Sequence, residues 1–278
     1  MNKYNLNNFK ENGVSFPFEV GNLINSNTES KYFNFQKKAE EIFGRQITLK
    51  PNLISKFFDS ICFNEEIISN IKKIIGPNIY IWSSVIFAKP PGSGKVVSFH
   101  QDNPYWQLTT ENVVTAWVAL TNSNSESGAL QIVPGSQKLG LLKKLDVEDA
   151  RDAYVKGLKT TEANDMLSYK QDLNDFLLKN KPITISLKPG EYSIHHVNTV
   201  HGSAQNQSKN YRIGFAIRYI SSDTQHEKLT KDYGLHVCGE KNSYFIDEKR
   251  PSGDFIKDEV NSYDASMSSG GAFGNKKY

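Results

Sequence analysis

The rhythm of apolar positions changes near residue 78. Before it, apolar side chains recur three and four apart, as on one face of a helix. After it they alternate or cluster in short blocks cut by glycine and proline, as strands do. Residues 6–12 read as a short helix stopped by Gly13, and 14–20 as extended chain. Asn27 or Thr28 caps a helix to Phe43, with Phe33, Phe35, Ala39 and Ile42 on its apolar side and Gly44 ending it. Two more helices are predicted over 52–60 and 65–75, the second closed by Gly76-Pro77. All are expected to pack on the outside of a sheet.

Strands are predicted over 79–88, 95–100, 113–120, 129–133, 183–187, 192–196 and 212–220, with turns at 89–94 and 188–190. Residues from about 147 to 180 are charged and helix-biased, an insertion between strands. Beyond Ser221 the pattern is weak, and the Ser/Gly-rich stretch 266–278 reads as a flexible tail. The chain is therefore expected to be mainly β. Its predicted core, about 78–220, is a double-stranded β-helix (a cupin-like jelly roll) with N-terminal buttressing helices, in a single domain over 1–265.

Bulk numbers narrow the setting. A 278-residue chain with 38% hydrophobic content can form a large core, and its formal net charge is only +3. No basic block precedes the last few residues, so nucleic acid is not an expected partner. No run approaches membrane-span length, and the N-terminus lacks the apolar region of a signal peptide. Cys62 and Cys238 have neither metal-type nor disulfide-type spacing. The expectation is a cytoplasmic, reducing setting with no membrane partner.

Chemistry concentrates in Phe99-His-Gln-Asp-Asn-Pro-Tyr-Trp106. His100 and Asp102 are two apart at the end of a strand, so their side chains share a face. His201 begins another strand-like segment. Two imidazoles and one carboxylate form the facial set that holds ferrous iron and leaves positions for a co-substrate and dioxygen. Arg212 follows His201 by eleven residues (212 − 201), and a guanidinium there suits the distal carboxylate of 2-oxoglutarate. A strand-edge salt bridge is its plainer reading. Arg218 has no such offset and reads as structural.

His195 and His196 adjoin on a strand, so only one faces the cavity, and neither stands at a ligand position. Tyr105, Trp106 and Trp117 are core aromatics or pocket walls. Gly92-Ser-Gly94 lacks the lysine and helix of a phosphate loop. Ser136-Gln-Lys138 reads as a loop shaping the site, and His226, His236 and the cysteines carry no assignment.

Four ordered blocks carry a resemblance: 99–106, Ser127-Gly-Ala-Leu-Gln-Ile-Val-Pro-Gly-Ser136, Lys188-Pro-Gly-Glu191, and His201-Gly-Ser-Ala-Gln-Asn206 with Arg212. Over roughly residues 78–220 the chain resembles the phytanoyl-CoA dioxygenase family of iron(II)/2-oxoglutarate-dependent oxygenases, and is similar also to ectoine hydroxylases and their halogenase relatives. The resemblance implies that His100, Asp102 and His201 hold iron and that Arg212 binds 2-oxoglutarate. It places Ser203 on the same carboxylate, with a simple turn hydrogen bond as the other reading. Trp106 matches a substrate-site position of the ectoine hydroxylases. Tyr105, Trp117, Gln101 and His195 complete the candidate substrate pocket.

In halogenases a small residue replaces the ligand carboxylate, so the presence of Asp102 favours an oxygenase. Glu191 stands where relatives often carry aspartate. The implied activity is hydroxylation of a C–H bond with release of succinate and carbon dioxide, and desaturation, epoxidation and cyclisation share the same ligands. The chain lacks a basic stretch suited to a CoA diphosphate, so a small free metabolite is the expected substrate. Residues 137–180 and those after 221 are expected to set specificity. Two rival readings are a zinc-type hydrolase or isomerase on the same jelly roll, and a non-catalytic small-molecule-binding protein.

Overall fold

In a computed structural model of the chain, which describes residues 3–142, 164–167, 171 and 173–268, two sheets pack around one cavity. The larger has the order β1 (Val14–Glu19), β7 (Glu191–His196), β4 (Val113–Ala119), β9 (Arg212–Ser221), β2 (Ile79–Lys89), β10 (Asp232–Cys238), β11 (Phe245–Asp247). The smaller has the order β3 (Val97–His100), β8 (His201–Ser203), β5 (Leu130–Ile132), β6 (Ile183–Thr184). Every pairing is antiparallel except β10 with β11. This is the jelly-roll architecture expected of the strand pattern.

Strand β9 shows how sequence becomes layers. All ten of its residues are buried, but alternate ones serve different faces. Ile213, Phe215, Ile217 and Tyr219 join the apolar layer with Phe35, Phe58, Ile67 and Ile71, which come from helices Thr28–Phe43, Lys56–Cys62 and Glu65–Ile75. Arg212, Ala216 and Arg218 point the other way and line the cavity. Gly214 lies on that inner face, where an added Cβ would stand 2.0 Å from the Trp117 ring. The missing side chain lets the indole lie across the strand. A second apolar layer, including Trp117, Ala119, Leu130, Ile132, Ile185 and Ala216, fills the space between the sheets.

Three expectations need correction. Helix Thr28–Phe43 buries Tyr32, Phe35, Gln36 and Ala39, while Phe33 and Ile42 are 39% and 40% exposed. The cause is Gln36: its amide donates to the Ile47 carbonyl (2.9 Å) and accepts from the Ile47 N–H (3.0 Å), which satisfies a polar side chain inside the core. The helix expected over 52–60 splits into a 3-10 turn, Pro51–Leu53, and helix Lys56–Cys62. The weak region after 221 supplies β10 and β11, with Asp232 accepting from the Trp82 indole N–H at 2.8 Å.

The tail expected from 266 begins inside helix Lys257–Ser268, where Tyr263, Ser266 and Met267 are buried. Residues 269–278 lie outside the described residues, as does most of the expected insertion over 147–180; its described part includes helix Asn174–Lys179. Among the described residues no helix is long and apolar enough to cross a membrane.

Candidate active site

The smaller sheet carries the histidines. His100 ends β3, His201 begins β8, and the register sets them directly opposite one another with ring centroids 4.2 Å apart. Each turns Nδ1 to the carbonyl two residues behind it: His100 to Ser98 O at 2.8 Å, His201 to Thr199 O at 2.9 Å. A carbonyl only accepts, so Nδ1 carries the proton and Nε2 presents its lone pair.

Asp102 lies just past β3, anchored by its N–H to the Val197 carbonyl at 3.1 Å. Its Oδ1 is 3.4 Å from His100 Nε2 and 3.9 Å from His201 Nε2. The three side chains are buried, and their donor atoms lie within 4.8 Å of one another. Two neutral nitrogens and one carboxylate on one side fit ferrous iron, with the other side open.

Electrostatics keep the set in ligand form. Burial, reinforced by the neighbouring His100, lowers His201 to about 4, so it is neutral at pH 7. Burial opposes the Asp102 charge, but His201, His100 and Arg218 outweigh it and hold the carboxyl well below its usual range. A neutral His201 beside an ionised carboxylate results.

Arg212 also lines the cavity, 2% exposed. Its Nη2 donates to Gly128 O at 2.9 Å and reaches Ser203 Oγ at 3.5 Å, and the guanidinium lies over the Trp117 ring at 5.5 Å. Gly128 has φ +71°, and an added Cβ would stand 2.3 Å from the Ala204 carbonyl, so glycine is needed there. Burial lowers Arg212 to about 10, which leaves it charged at pH 7. Its Nε has no hydrogen-bond partner among the described residues.

Sequence reasoning missed Lys89. This fully buried lysine donates to Ser203 Oγ at 2.7 Å and to the carbonyls of Ser203 and Ala204. Burial first, then the charge of Arg212, lowers it to about 7, while Asp165 acts the other way. A hydroxyl that accepts from this ammonium keeps its own proton for donation elsewhere. The signal was the period of two along β2, where Phe87 lines the cavity and Lys89 follows it by two.

The cavity measures about 180 Å³. Of the expected pocket residues, Tyr105, Trp106, Trp117 and His195 line it, together with Ser203. His196 points the other way, toward Glu111 at 4.0 Å. Gln101 does not line the cavity. Lying between two ligands, it points away from them, donating to the Gly140 and Asn198 carbonyls, both at 2.8 Å, and accepting from Leu142 N–H at 2.9 Å. Arg218, read as structural, lines the cavity with its guanidinium 4.9 Å over Trp106. Thr115 lines it as well and was not singled out. Glu191 closes its turn by accepting the Lys188 N–H at 2.7 Å.

Known proteins resemble the chain in sequence and in fold. The family model described as phytanoyl-CoA dioxygenase matches residues 24–214. A probable alpha-ketoglutarate-dependent hypophosphite dioxygenase of Stutzerimonas stutzeri is 27% identical over 70% of this chain and 64% of its own length. The peroxisomal phytanoyl-CoA dioxygenase of Homo sapiens is 28% identical over 58% of this chain and 45% of its own. The matched region thus spans less than two thirds of the length of these relatives. Among solved structures, the non-heme monooxygenase ThoJ in its nickel complex has a TM-score of 0.73 at 22% identity, covering 95% of this chain and 96% of that one. That likeness is one of fold. The family match takes in all three metal donors and Arg212, and the chain belongs to the phytanoyl-CoA dioxygenase family.

Proposed function

We propose that the chain is an iron(II)- and 2-oxoglutarate-dependent dioxygenase that hydroxylates a C–H bond of a small metabolite. The observation that carries this reading is the pairing, in one cavity, of a His–Asp–His donor set with a buried cationic cradle around Ser203. His100, Asp102 and His201 would hold the metal, and Arg212 with the Ser203 hydroxyl would hold the distal carboxylate of 2-oxoglutarate. Bound iron and 2-oxoglutarate supply the oxidising chemistry, in which dioxygen is consumed, 2-oxoglutarate leaves as succinate and carbon dioxide, and one oxygen atom enters the substrate.

The protein's own part is placement and exclusion of water. Trp117 under Arg212, with Phe87, Leu130 and Ala216 also lining the cavity, keeps the co-substrate end dry and strengthens its charge contacts. A zinc hydrolase on these ligands would give Arg212 and Lys89 no duty, yet both are buried charges that the fold has to support. At about 180 Å³ the cavity falls below the roughly 300–1,000 Å³ usual for ligand pockets, which favours a compact substrate. Cys62 and Cys238 are free thiols, which fits a reducing compartment such as the cytoplasm, where iron stays ferrous.

The test is an anaerobic titration with ferrous iron and 2-oxoglutarate. A visible metal-to-ligand absorption band should appear, and air should then convert 2-oxoglutarate to succinate. Absence of the band, or zinc supporting turnover as well as iron does, would reject the reading.

A further inference from the structure

We infer that the substrate carries a hydroxyl group, which Thr115 and His195 grip on the wall of the larger sheet as the specificity-determining pair of the site. This rests on the oxygenase reading and adds a substrate class to it.

Strand register brings the two side chains together. Thr115 on β4 pairs with His195 on β7. Residues directly opposite in antiparallel strands hold their Cβ atoms about 4.5–5.5 Å apart, so one small group is able to touch both. Both side chains line the cavity, and they are 3% and 2% exposed. The His195 ring centroid is 4.8 Å from that of the metal donor His201, so a group held here lies close to the reacting centre.

Other polar side chains of the wall are engaged. His100, Asp102 and His201 form the donor set, and on the oxygenase reading Arg212 with Ser203 takes the co-substrate. The charges of Arg218 and Asp102 act on each other. Thr115 and His195 differ: the Thr115 hydroxyl and His195 Nδ1 are buried with no hydrogen-bond partner among the described residues. Burying a polar group unsatisfied is costly, and a ligand that bonds to both atoms removes that cost twice.

The chemistry of the pair selects the group. A threonine hydroxyl donates one hydrogen bond and accepts others, while an imidazole nitrogen donates or accepts according to where the ring carries its proton. A ligand hydroxyl also donates and accepts, so it satisfies the pair in either tautomer. A carboxylate accepts only, and serves the pair in one tautomer alone. Much of the remaining wall is apolar, with Phe87, Val97, Trp106, Leu130 and Ala216 lining it. In a cavity of about 180 Å³ that lining suits a compact hydrocarbon frame bearing a hydroxyl, rather than a polyol.

The test uses protein loaded anaerobically with ferrous iron and 2-oxoglutarate, and binding is read from the shift of the absorption band. The probes are butan-1-ol and cyclopentanol, their counterparts 1-chlorobutane and chlorocyclopentane, in which chlorine replaces the hydroxyl, and butanoate. At least one alcohol should bind, and butan-1-ol should bind more tightly than butanoate. Thr115→Val and His195→Leu should each lower the ratio of alcohol to chloroalkane affinity by about fivefold, the effect of one lost hydrogen bond. Thr115→Ser, which keeps the hydroxyl, should retain the wild-type ratio. Failure of both alcohols to bind, tighter binding of butanoate, an unchanged ratio in a folded Thr115→Val protein, or a loss in Thr115→Ser as large as in Thr115→Val would overturn the assignment. Absence of the band in wild type before any probe is added would instead reject the oxygenase reading.

Discussion

His100 and His201 face one another across the β3–β8 pair, each with Nδ1 committed to the carbonyl two residues behind it. One backbone device thus fixes the tautomer and the ring direction of both. Asp102 lacks a strand partner and is placed by the Val197 carbonyl alone among the backbone contacts of its N–H.

That difference makes Asp102 the sharpest probe of the metal site. Asp102→Ala should abolish 2-oxoglutarate turnover and lower iron affinity by at least about the tenfold to hundredfold that losing a mere supporting group costs. Iron retained after dialysis and succinate formed per minute both report this. Turnover at the wild-type rate would contradict the assignment.

Arg212→Ala removes the buried cation proposed to hold 2-oxoglutarate. Apparent affinity for 2-oxoglutarate should fall by about 3 kcal/mol, roughly a hundredfold, because a buried charged pair is broken on one side. The saturation curve for 2-oxoglutarate measures it, and an unchanged curve would remove Arg212 from the site.

Lys89 adds a pH dependence. Burial and Arg212 hold its amine near 7 in the free protein, with Asp165 the opposing influence. A 2-oxoglutarate dianion bound beside Ser203 favours the protonated amine and raises that value. Below about 7 the amine is protonated before and after binding, so affinity is flat there. Above it, binding takes up a proton, and affinity for 2-oxoglutarate should decline as pH rises. Calorimetric titration in two buffers of different ionisation enthalpy should detect the uptake in wild type and lose it in Lys89→Met.

Gly214→Ala tests the packing beneath Arg212. Its Cβ would stand 2.0 Å from the Trp117 ring, so the indole must move. The change should cost about 1–3 kcal/mol of stability by overpacking. It should also weaken 2-oxoglutarate binding, since Trp117 lies under the guanidinium. The urea midpoint and the 2-oxoglutarate saturation curve would show both effects, and an unaltered midpoint would refute the contact.

The four residues with fixed spacing, His100, Asp102, His201 and Arg212, were legible because strand periodicity and offset carry their geometry. Arg218 was legible in principle: it follows Arg212 by six on one strand, an even number, which puts both on one face. Its distance from His201 carries no such signal, so strand parity alone points to it. Lys89 precedes Pro90-Pro-Gly92 and reads as the opening of a turn; only the depth of the β2–β9 pairing buries it. Gln101 failed for the opposite reason: closeness in sequence suggested the pocket, while alternation turned the side chain away. Phe33 and Ile42 were misassigned because an amide–backbone pair made eleven residues apart, from Gln36 to Ile47, rotates the helix, and hydrophobicity does not encode it.

The histidines belong to the smaller sheet, and Arg212, Thr115 and Arg218 to the larger. On the proposed function, the distance from metal to bound ligand would be gauged like the opening of a caliper, by the thickness of the apolar filling between its jaws. Thinning that filling at Ile132 or Leu130 would keep all three donor residues in the chain yet weaken the packing that holds the two sheets apart. The property lost first would be fidelity: succinate accumulating faster than hydroxylated product.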